Sequence, residues 1–285
     1  MPYFSIIIPS FNRAHIIERA IEAVLGQSFQ DWELLIVDDG STDHTQTVIE
    51  TYLKDQRIQY IYQKNAGVCA ARNKGALNSS GDYLIFFDSD DSVLETWLED
   101  FYNMKDYMYD IIFCNMKIIK IYNTIKLVSC LDPYNDGNTK GISIPGSWSI
   151  KKDVFISIGM YDEKIKYGEN TELRFRLDNK KPKIGLIDKF NFIYYESLDG
   201  GSKNLKNKID SNLYIIEKHP LYFKTNPHVL RFYYQNIGVA YVKLINWKAA
   251  RTFFWKAYII QPWKLKTLMR FLLSIFPILA KKIIK

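Results

Sequence analysis

Acidic residues are missing from the C-terminal part of this 285-residue sequence. Glu217 is the last of the 31 Asp and Glu, whereas 13 of the 38 Lys and Arg lie after it. The formal net charge is therefore −6 up to Glu217 and +13 from Lys218 onward. A basic segment of this kind is typical of contact with a membrane surface or with a polyanion. Because the larger part of the chain is mildly acidic, the pI near 9.0 does not indicate a nucleic-acid-binding protein.

Cysteine, histidine and long apolar runs are also scarce. Three widely spaced Cys without a C-x-x-C pair favour a reducing compartment and exclude a zinc ribbon or a disulfide scaffold. The four His have no metal-ligand spacing. Residues 271–280 form the longest uncharged apolar run, half of the roughly 20 residues that span a bilayer, and residues 3–8 are too short for a signal peptide. We expect a cytoplasmic protein, peripheral on the inner face of the cell membrane.

Strand and helix patterns alternate over the first 115 residues. Alternation of this kind predicts an α/β fold with a mostly parallel sheet and helices on both faces. The predicted strands are 4–8, 33–37, 58–62, 83–87 and 110–114, and the predicted helices are 15–26, a helix capped by Thr42 or Asp43, 68–77 and 94–104. A β-ribbon and polar loop follow over 117–140, then a loop and helix over 154–176, and amphipathic helices from about residue 207.

The predicted strand at residues 83–87 ends directly in Asp88, Asp90 and Asp91. In an open α/β sheet, ligands bind beyond the carboxyl ends of the strands. Carboxylates clustered there repel one another and lose solvation, so they need a cation, and their hard oxygen atoms suit Mg²⁺ or Mn²⁺. The alternative interpretation is an Asp-rich cap of the helix that begins near Glu95.

Asp38 and Asp39 follow the neighbouring strand and are expected at the same edge of the sheet. Carboxylates there can accept hydrogen bonds from a base N–H or a ribose hydroxyl, although the pair can also belong to an ordinary turn. Arg72, on the next helix, can pair with diphosphate oxygens or hold the carboxylates. No P-loop and no G-x-G-x-x-G motif occurs, so carboxylate, metal and arginine have to hold the phosphates.

Together these segments resemble the family 2 glycosyltransferases of the GT-A fold, strongly to about residue 115 and more weakly to about residue 203. The resemblance implies an inverting transfer of a hexosyl or N-acetylhexosaminyl group, with a UDP-sugar as the expected donor. It implies as acceptor a hydroxyl of a saccharide or lipid-linked saccharide in cell-surface polysaccharide synthesis. The matching motifs are Ile6-Ile-Ile-Pro-Ser-Phe-Asn-Arg13, Ile36-Val-Asp-Asp-Gly-Ser-Thr-Asp43, Asn65-Ala-Gly-Val-Cys-Ala-Ala-Arg-Asn-Lys-Gly75 and Gly81-Asp-Tyr-Leu-Ile-Phe-Phe-Asp-Ser-Asp-Asp91.

The resemblance also implies roles for individual residues. Asp88 and Asp90 would form the D-x-D pair that holds Mn²⁺ or Mg²⁺, with Asp90 as the direct ligand. Asp39 would contact the nucleobase, and Trp148, in a segment like the acceptor loop of the family, can stack on a sugar ring or belong to the core. The remaining residues expected at the donor nucleotide are Pro9, Ser10, Phe11, Asn12, Asp38, Arg72 and Ser89.

The catalytic base is the point at which the sequence departs from the family. Members carry a Glu-Asp pair at the start of a helix, and its Asp is the general base. Here Asn170 replaces that Asp and cannot take a proton. Glu169 and Glu172 are the remaining candidates, and Glu169 is favoured because it adjoins the expected position; the alternative is that Glu169 only caps the helix.

We predict a GT-A domain at residues 1–205, with a nucleotide-sugar half (1–115) and an acceptor half (116–205), followed by a basic helical region at 206–285. The aromatic and basic residues of that region favour a helix lying in the membrane interface; the alternative is a helical pair packed on the domain. Two other functions compete with transfer. One is a non-catalytic sugar-nucleotide binder, which would explain why Asn170 replaces the base. The other is a haloacid-dehalogenase-type phosphatase, whose first motif is D-x-D-x-[TV]; the sequence from Asp88 fits this motif less well, because Ser92 stands at its fifth position.

Overall fold

The computed structural model describes residues 1–122, 124–130, 144–197 and 204–275. The chain divides into two compact units. The first unit comprises Met1–Asn135, Thr139–Glu163 and Glu169–Leu198, and the second comprises Asp136–Asn138, Lys164–Gly168 and Asp199–Lys285. The predicted polar loop at residues 132–138 lies outside the described residues.

Strands and helices alternate along the first part of the first unit, as the sequence predicts. The elements are β1 (Phe4–Ser10), α1 (Ile17–Leu25), β2 (Trp32–Asp38), α2 (Thr45–Glu50), β3 (Ile58–Tyr62), α3 (Val68–Asn78) and β4 (Tyr83–Phe86). The later elements are β5 (Ser92–Val93), α4 (Trp97–Tyr102), a 3₁₀-helix (Lys105–Tyr107), β6 (Ile111–Ile119), β7 (Ile125–Val128), β8 (Trp148–Lys151), α5 (Lys152–Ser157), α6 (Glu169–Asp178) and β9 (Ile184–Tyr195).

The strands of the described residues form one mixed sheet. Its order is β3-β2-β1-β4-β8-β6-β9-β5, and β7 pairs with β6. The strands β3, β2, β1 and β4 are parallel neighbours, as predicted, whereas β8 joins both β4 and β6 in antiparallel pairs. Parallel pairing therefore holds for the N-terminal half of the sheet, and its strand ends meet at one edge.

Helices cover both faces of the sheet, which explains why every residue of β1 and β2 is buried. Along β1, Ile6 and Ile8 pack into the core on the side of α1, while Ile7 packs with residues of α3 on the other side. A Cβ atom on Gly75 of α3 would lie 2.4 Å from Cγ2 of Ile7. Glycine at this position therefore lets α3 approach β1 closely, and Arg72 lies one turn earlier on the same helix.

The second unit is helical over its described residues after residue 203. Ile209 of the first of these helices forms a small buried core with Ile237 and Ala240 of the third. The side chains of Asn204 and Asn246 cap two of the helices. In the described part of the chain, no helix is both long and apolar enough to cross a membrane. The helices are α7 (Leu205–Lys218), α8 (Pro220–Thr225), α9 (Pro227–Lys243), α10 (Trp247–Ile260) and α11 (Leu265–Ile275).

Candidate active site

The loops that follow β1, β2 and β4 lie side by side at the carboxyl edge of the sheet. In the parallel pair of β1 and β2, Ser10 lies opposite Asp38 at the ends of both strands. In the parallel pair of β1 and β4, Ile7 lies opposite Phe86 at the end of β4. The N–H of Phe87 continues this ladder by donating to the carbonyl of Ile7. Asp88 follows Phe87 directly. The parallel register therefore brings the acidic motif at Asp38 and Asp39 and the acidic motif at Asp88 to the same edge of the sheet.

The turn after β1 is tied to the turn after β2 through Asn12. Asn12 has a left-handed backbone with φ of 54°, a conformation that Asn adopts more readily than most residues. Its N–H donates to Oγ of Ser41 at 2.9 Å, and its Oδ1 accepts from the N–H of Thr42 at 2.8 Å. Pro9 and Ser10 are buried beneath this turn, whereas Phe11 is 45% exposed. The exposed ring of Phe11 is therefore free to cover a flat ligand.

The two carboxylates after β2 are buried and accept hydrogen bonds from the protein. Oδ1 of Asp38 accepts from the N–H of Ser41 at 2.8 Å, and its Oδ2 accepts from the hydroxyl of Tyr60 at 2.8 Å. Asp39 accepts from the side chain of Gln63 and from the N–H groups of Ala66 and Gly67. Since a carboxylate has about four acceptor positions, Asp39 keeps capacity for one further donor such as a base N–H.

Arg72 joins two carboxylates that are far apart in sequence. It is buried on α3, and its guanidinium contacts Oδ1 of Asp88 at 2.7 Å through Nη2 and Oε1 of Glu169 at 3.0 Å through Nη1. The ring of Tyr161 lies against the same guanidinium, with its centroid 5.4 Å from Cζ. Although burial opposes it, the Asp88 carboxylate raises the pKa of Arg72 above its ordinary value. The structure thus connects the Asp88 loop to the start of α6.

Negative charge is concentrated in the loop after β4. Burial raises the pKa of Asp91 well above its usual range, and the carboxylates of Asp88 and Asp90 raise it further. Burial also raises the pKa of Asp88, an effect that Arg72 opposes. Asp91 accepts from the N–H of Tyr195 at 3.0 Å, but its buried Oδ2 has no hydrogen-bond partner among the described residues. Crowded carboxylates with a spare oxygen suit a nearby cation.

The donor set fits a divalent cation only if the substrate supplies further ligands. No group of three or more His, Cys, Asp or Glu side chains with metal-binding geometry occurs among the described residues. Asp88 and Asp90 would therefore provide two carboxylates at most. This is compatible with Mg²⁺ and Mn²⁺, because Mg²⁺ usually takes one or two protein carboxylates and fills its other positions with water and substrate phosphate oxygens.

Arg19 and Tyr195 belong to this edge although the sequence patterns do not single them out. The guanidinium of Arg19, on α1, lies 3.8 Å above the ring of Tyr195 and donates to the backbone carbonyl of Asp90. In the sequence, Arg19 is one of several polar residues on a predicted amphipathic helix, and Tyr195 lies at the end of a predicted strand. Neither position indicates a site. Arg19 therefore holds the backbone of the acidic loop, and its positive charge opposes the rise in the pKa of Asp91.

The two candidate bases differ completely in their surroundings. Glu169 is the first residue of α6, and its Oε1 binds Arg72, which also binds Asp88. Asn170 accepts from the hydroxyl of Tyr161 at 2.7 Å. Glu172 is fully buried, and Arg176 binds its two oxygens at 2.9 and 2.7 Å. These surroundings favour Glu169 over Glu172 as the base, because Glu172 is buried and Arg176 holds both of its oxygens.

For Trp148 the sequence left two interpretations open, stacking on an acceptor sugar and a place in the core. Trp148 lies in β8 and is 3% exposed, and the centroids of its ring and that of Phe86 are 5.7 Å apart. This burial favours the core interpretation. Ser89 is buried within the Asp88 loop.

The sheet, the acidic loops at its carboxyl edge and the arginine between them define an α/β domain of the kind that binds ligands beyond its strand ends. Residues 5–129 match the family model described as Glycosyl transferase family 2. This range contains the motifs after β1, β2 and β4 and Arg72, so the match to this family includes most residues of the candidate site.

Curated relatives align over part of their length. The putative teichuronic acid biosynthesis glycosyltransferase TuaG of Bacillus subtilis is 43% identical over 101 residues, covering 35% of this chain and 38% of that protein. The GalNAc(5)-diNAcBac-PP-undecaprenol beta-1,3-glucosyltransferase of Campylobacter jejuni is 35% identical over 129 residues, covering 44% and 42% respectively. An uncharacterized glycosyltransferase of Rickettsia bellii is 43% identical over 95 residues, and the match spans only 14% of its length.

The crystal structure of residues 1–349 of S. aureus TarS in complex with UDP-GlcNAc has a similar fold. Its TM-score is 0.66 with 15% sequence identity, and the match covers 96% of this chain and 90% of that one. The predicted GT-A fold with C-terminal helices is thereby confirmed. The alternative of a haloacid-dehalogenase-type phosphatase finds no support in these comparisons, because the family match includes β4 and the Asp88 motif that follows it.

Proposed function

We propose that this chain is an inverting glycosyltransferase that moves a sugar from a nucleoside diphosphate sugar to a hydroxyl group. The observation that carries the proposal is the bridge of Arg72 between Asp88 and Glu169. The two carboxylates that it joins are the ones for which we propose roles in metal–diphosphate binding and in proton transfer. The family match and the TarS structure with UDP-GlcNAc support a nucleotide-sugar donor.

In this proposal the donor nucleotide lies over the edge formed by β1 and β2. Asp39 keeps capacity for one base N–H donor, and its own N–H donates to the carbonyl of Ser10, the residue before the exposed Phe11. Asp38, already held by Tyr60 and Ser41, fixes the turn from which Asp39 projects. We expect a UDP-sugar, with Pro9, Ser10, Asn12 and Ser89 completing the walls.

Asp88 and Asp90 would hold Mn²⁺ or Mg²⁺ at the diphosphate. Such a cation, when bound, neutralises the charge that develops on the leaving diphosphate. Arg72 opposes the effect of burial on the pKa of Asp88 and orients its carboxyl group, and Arg19 fixes the backbone at Asp90. Both arginines also bring positive charge to the edge at which the leaving group departs.

Glu169 is the proposed general base. The acceptor hydroxyl attacks the anomeric carbon from the face opposite the diphosphate, and Glu169 takes the hydroxyl proton as the new bond forms. Proton removal of this kind contributes roughly 10²–10⁴-fold to the rate. Because Arg72 binds Oε1 of Glu169, we assign the proton to its other oxygen, Oε2.

The acceptor is proposed to be a saccharide anchored to a lipid in cell-surface polysaccharide synthesis. Two observations support it. The C. jejuni relative is named for an undecaprenol-linked acceptor, and TuaG for teichuronic acid biosynthesis. The charge of +13 after Glu217 fits attachment to the inner face of a membrane. On this view residues 206–285 attach the enzyme and residues 1–205 perform transfer.

The metal site tests the proposal most directly. Asp90→Ala should abolish the Mn²⁺-dependent part of UDP binding in a calorimetric titration, because the variant loses one of the two protein ligands. Asp106→Ala, at an exposed position of the 3₁₀-helix, removes the same charge and should leave binding unchanged. Unaltered UDP affinity of Asp90→Ala in the presence of Mn²⁺ would place the metal elsewhere. A screen of nucleotide sugars for metal-dependent hydrolysis then identifies the donor.

Asn170 supports a second candidate, a sugar-nucleotide binder without transfer activity. The two functions are separated by comparing the natural chain with Asn170→Asp, which restores the carboxylate of the family. If Glu169 is the base, the natural chain turns over donor and Asn170→Asp changes the rate little. Donor binding without turnover in the natural chain, together with turnover in Asn170→Asp, would establish the binder.

A further inference from the structure

A cavity of about 360 Å³ lies within the second unit, among α9, α10 and α11. This volume is at the lower end of the range of about 300–1,000 Å³ found for small-molecule sites. It therefore has room for one slender apolar group rather than for two. The cavity is lined by Val239, Val242, Lys243, Trp247, Phe254, Lys266, Met269, Arg270, Leu273 and Ser274.

Among the described residues, the lining combines apolar side chains with cations and contains no anion. The charged residues of this described lining are Lys243, Lys266 and Arg270, and all three are exposed. Long basic side chains of this kind lay their methylene stems along apolar surface while the charged ends stay in water. Residues 218–285 contain no Asp or Glu, so no carboxylate of this segment can neutralise the three cations. The cavity thus has an apolar interior and a cationic mouth.

Arg270 also takes part in a cluster in which two guanidinium groups share neutral partners. Arg270 donates to Oε1 of Gln235 at 3.1 Å, and Gln235 in turn donates to Oγ1 of Thr267. Arg231 donates to the same Oγ1 at 3.3 Å and to Gln261 at 2.7 Å. Burial lowers the pKa of Arg231, and the nearby Arg270 lowers it further. An anion beside Arg270 would relieve this repulsion between like charges.

Apolar residues continue from the cavity onto the exposed surface of α11. Met269 lines the cavity and is 60% exposed, and Leu265 and Leu272 of the same helix are also exposed. Exposed apolar side chains next to cations are typical of segments that lie in the interface of a membrane. A ligand that enters this cavity therefore comes most readily from a lipid layer.

We propose that this cavity binds the lipid anchor of the acceptor: one apolar chain fills the interior, and its phosphate lies at Lys243, Lys266 and Arg270. The identity of that lipid as the acceptor's anchor rests on the proposed function. The binding site itself does not, since it can be measured without donor, metal or transfer. Failure of the binding test and failure of the transfer assay are therefore distinguishable.

Calorimetric titration of the full chain with monomeric dodecyl phosphate tests the site. We expect saturable binding of one dodecyl phosphate per chain. Inorganic phosphate, which lacks the chain, and dodecyl maltoside, which has the same chain on an uncharged sugar head group, should each bind at least about tenfold more weakly. Equal binding of dodecyl maltoside would overturn the role of the cations, and equal binding of inorganic phosphate would overturn that of the cavity.

Two pairs of variants locate the ligand. Lys243→Gln with Lys266→Gln should weaken dodecyl phosphate binding by about tenfold or more, because each lysine contributes to holding the phosphate. Lys248→Gln with Lys264→Gln removes the same charge from exposed positions outside the lining and should have no effect. An equal loss in both pairs would mean that the lipid phosphate responds to overall charge and not to this cavity.

Val242→Phe fills the cavity without changing the charge, and it should abolish binding. Leu244→Phe adds a ring at an exposed position beyond the lining and should bind normally. Circular dichroism of both variants shows whether the helices are intact. If Val242→Phe unfolds them, the site is tested by the two double lysine variants instead. Light scattering excludes another occupant: dimers of the natural chain that Val242→Phe dissociates would show a subunit contact and overturn the proposal.

Discussion

Arg72 is the residue on which the candidate site depends most, because it joins two carboxylates that would otherwise repel each other. Its side chain is 3% exposed, and those of Asp88 and Glu169 are 29% and 16% exposed. Two separate N–H groups make these contacts, which the single ammonium group of a lysine cannot reproduce in the same geometry. The same cluster therefore determines both the local stability and the arrangement of the acidic residues.

We expect Arg72→Ala to lower the free energy of unfolding by about 3 kcal/mol, since it leaves two partly buried carboxylates without a partner. Arg72→Lys should recover part of the stability and little of the donor binding. Arg174→Ala breaks the i,i+4 pair of Arg174 with Asp178 on α6 and should cost only about 0.5 kcal/mol. Urea denaturation measures the free energy of unfolding of all three variants. Equal losses of this free energy in Arg72→Ala and Arg174→Ala would contradict the bridging role of Arg72.

Glu169 and Glu172 are separated by the kind of defect that each substitution produces. Glu169→Gln should lower kcat by about 100-fold or more while the affinity for donor changes little, because only proton removal is lost. Glu172→Gln should instead lower the melting temperature, because it disrupts the buried pair with Arg176. A loss of less than tenfold in kcat for Glu169→Gln would place the base outside α6.

At the scale of elements, two close helix contacts organise the two units. In the first unit, Gly75 lets α3 lie against β1 and so positions Arg72 at the edge of the sheet. In the second unit, a Cβ atom on Gly238 of α9 would lie 2.6 Å from Cε1 of Phe254, which is 2% exposed on α10. Both contacts depend on the absence of a side chain, because a close-packed interior cannot absorb an extra methyl group without a shift.

Gly238→Ala should therefore destabilise the second unit by about 1–2 kcal/mol, even though alanine is the better helix former by about 1 kcal/mol. The displaced ring of Phe254 also lines the cavity, so binding of dodecyl phosphate should weaken with it. Thr252→Ala, at an exposed position of α10, serves as the comparison and should stay within about 0.5 kcal/mol of the natural chain. A stabilised Gly238→Ala would show that α9 and α10 are not in close contact at this point.

For the whole molecule, the separation of charge is the property with the clearest consequence. The excess of 13 positive charges after Glu217 should hold the full chain on vesicles that contain anionic phospholipid. The attraction decays over a Debye length of about 10 Å at 0.1 M salt, so cosedimentation should fall as salt rises. On neutral vesicles, only the contribution of the apolar residues to binding should remain.

Replacing Lys248, Lys256 and Lys264 together by Gln should weaken vesicle binding by about 100-fold, at about 1 kcal/mol per charge. All three are exposed in the second unit and lie outside the lining of the cavity. Replacing three exposed lysines of the first unit, Lys54, Lys64 and Lys126, removes the same charge and should change vesicle binding little. Comparable losses in both variants would mean that net charge, rather than the basic segment, determines binding.

Much of the first unit could be predicted from the sequence because local patterns decide it. Apolar runs that end in Asp38 and Asp88 predict strands and the edge at which they end, since parallel strands of one sheet place their carboxyl ends together. The four motifs were sufficient to predict the family and the GT-A fold. The sequence also determined the charge asymmetry, because charge is a sum over residues and does not depend on how the chain folds.

Tertiary structure decided the contacts that join distant parts of the chain. The bridge from Arg72 to Glu169 spans 97 positions, and that of Arg19 to Asp90 spans 71, so no periodicity could reveal them. The burial of Glu172 and Trp148 likewise depends on which elements pack over them, so the sequence left alternatives open for both residues. The cavity among α9, α10 and α11 arises from the shape left between three helices, a property that no single segment of sequence contains.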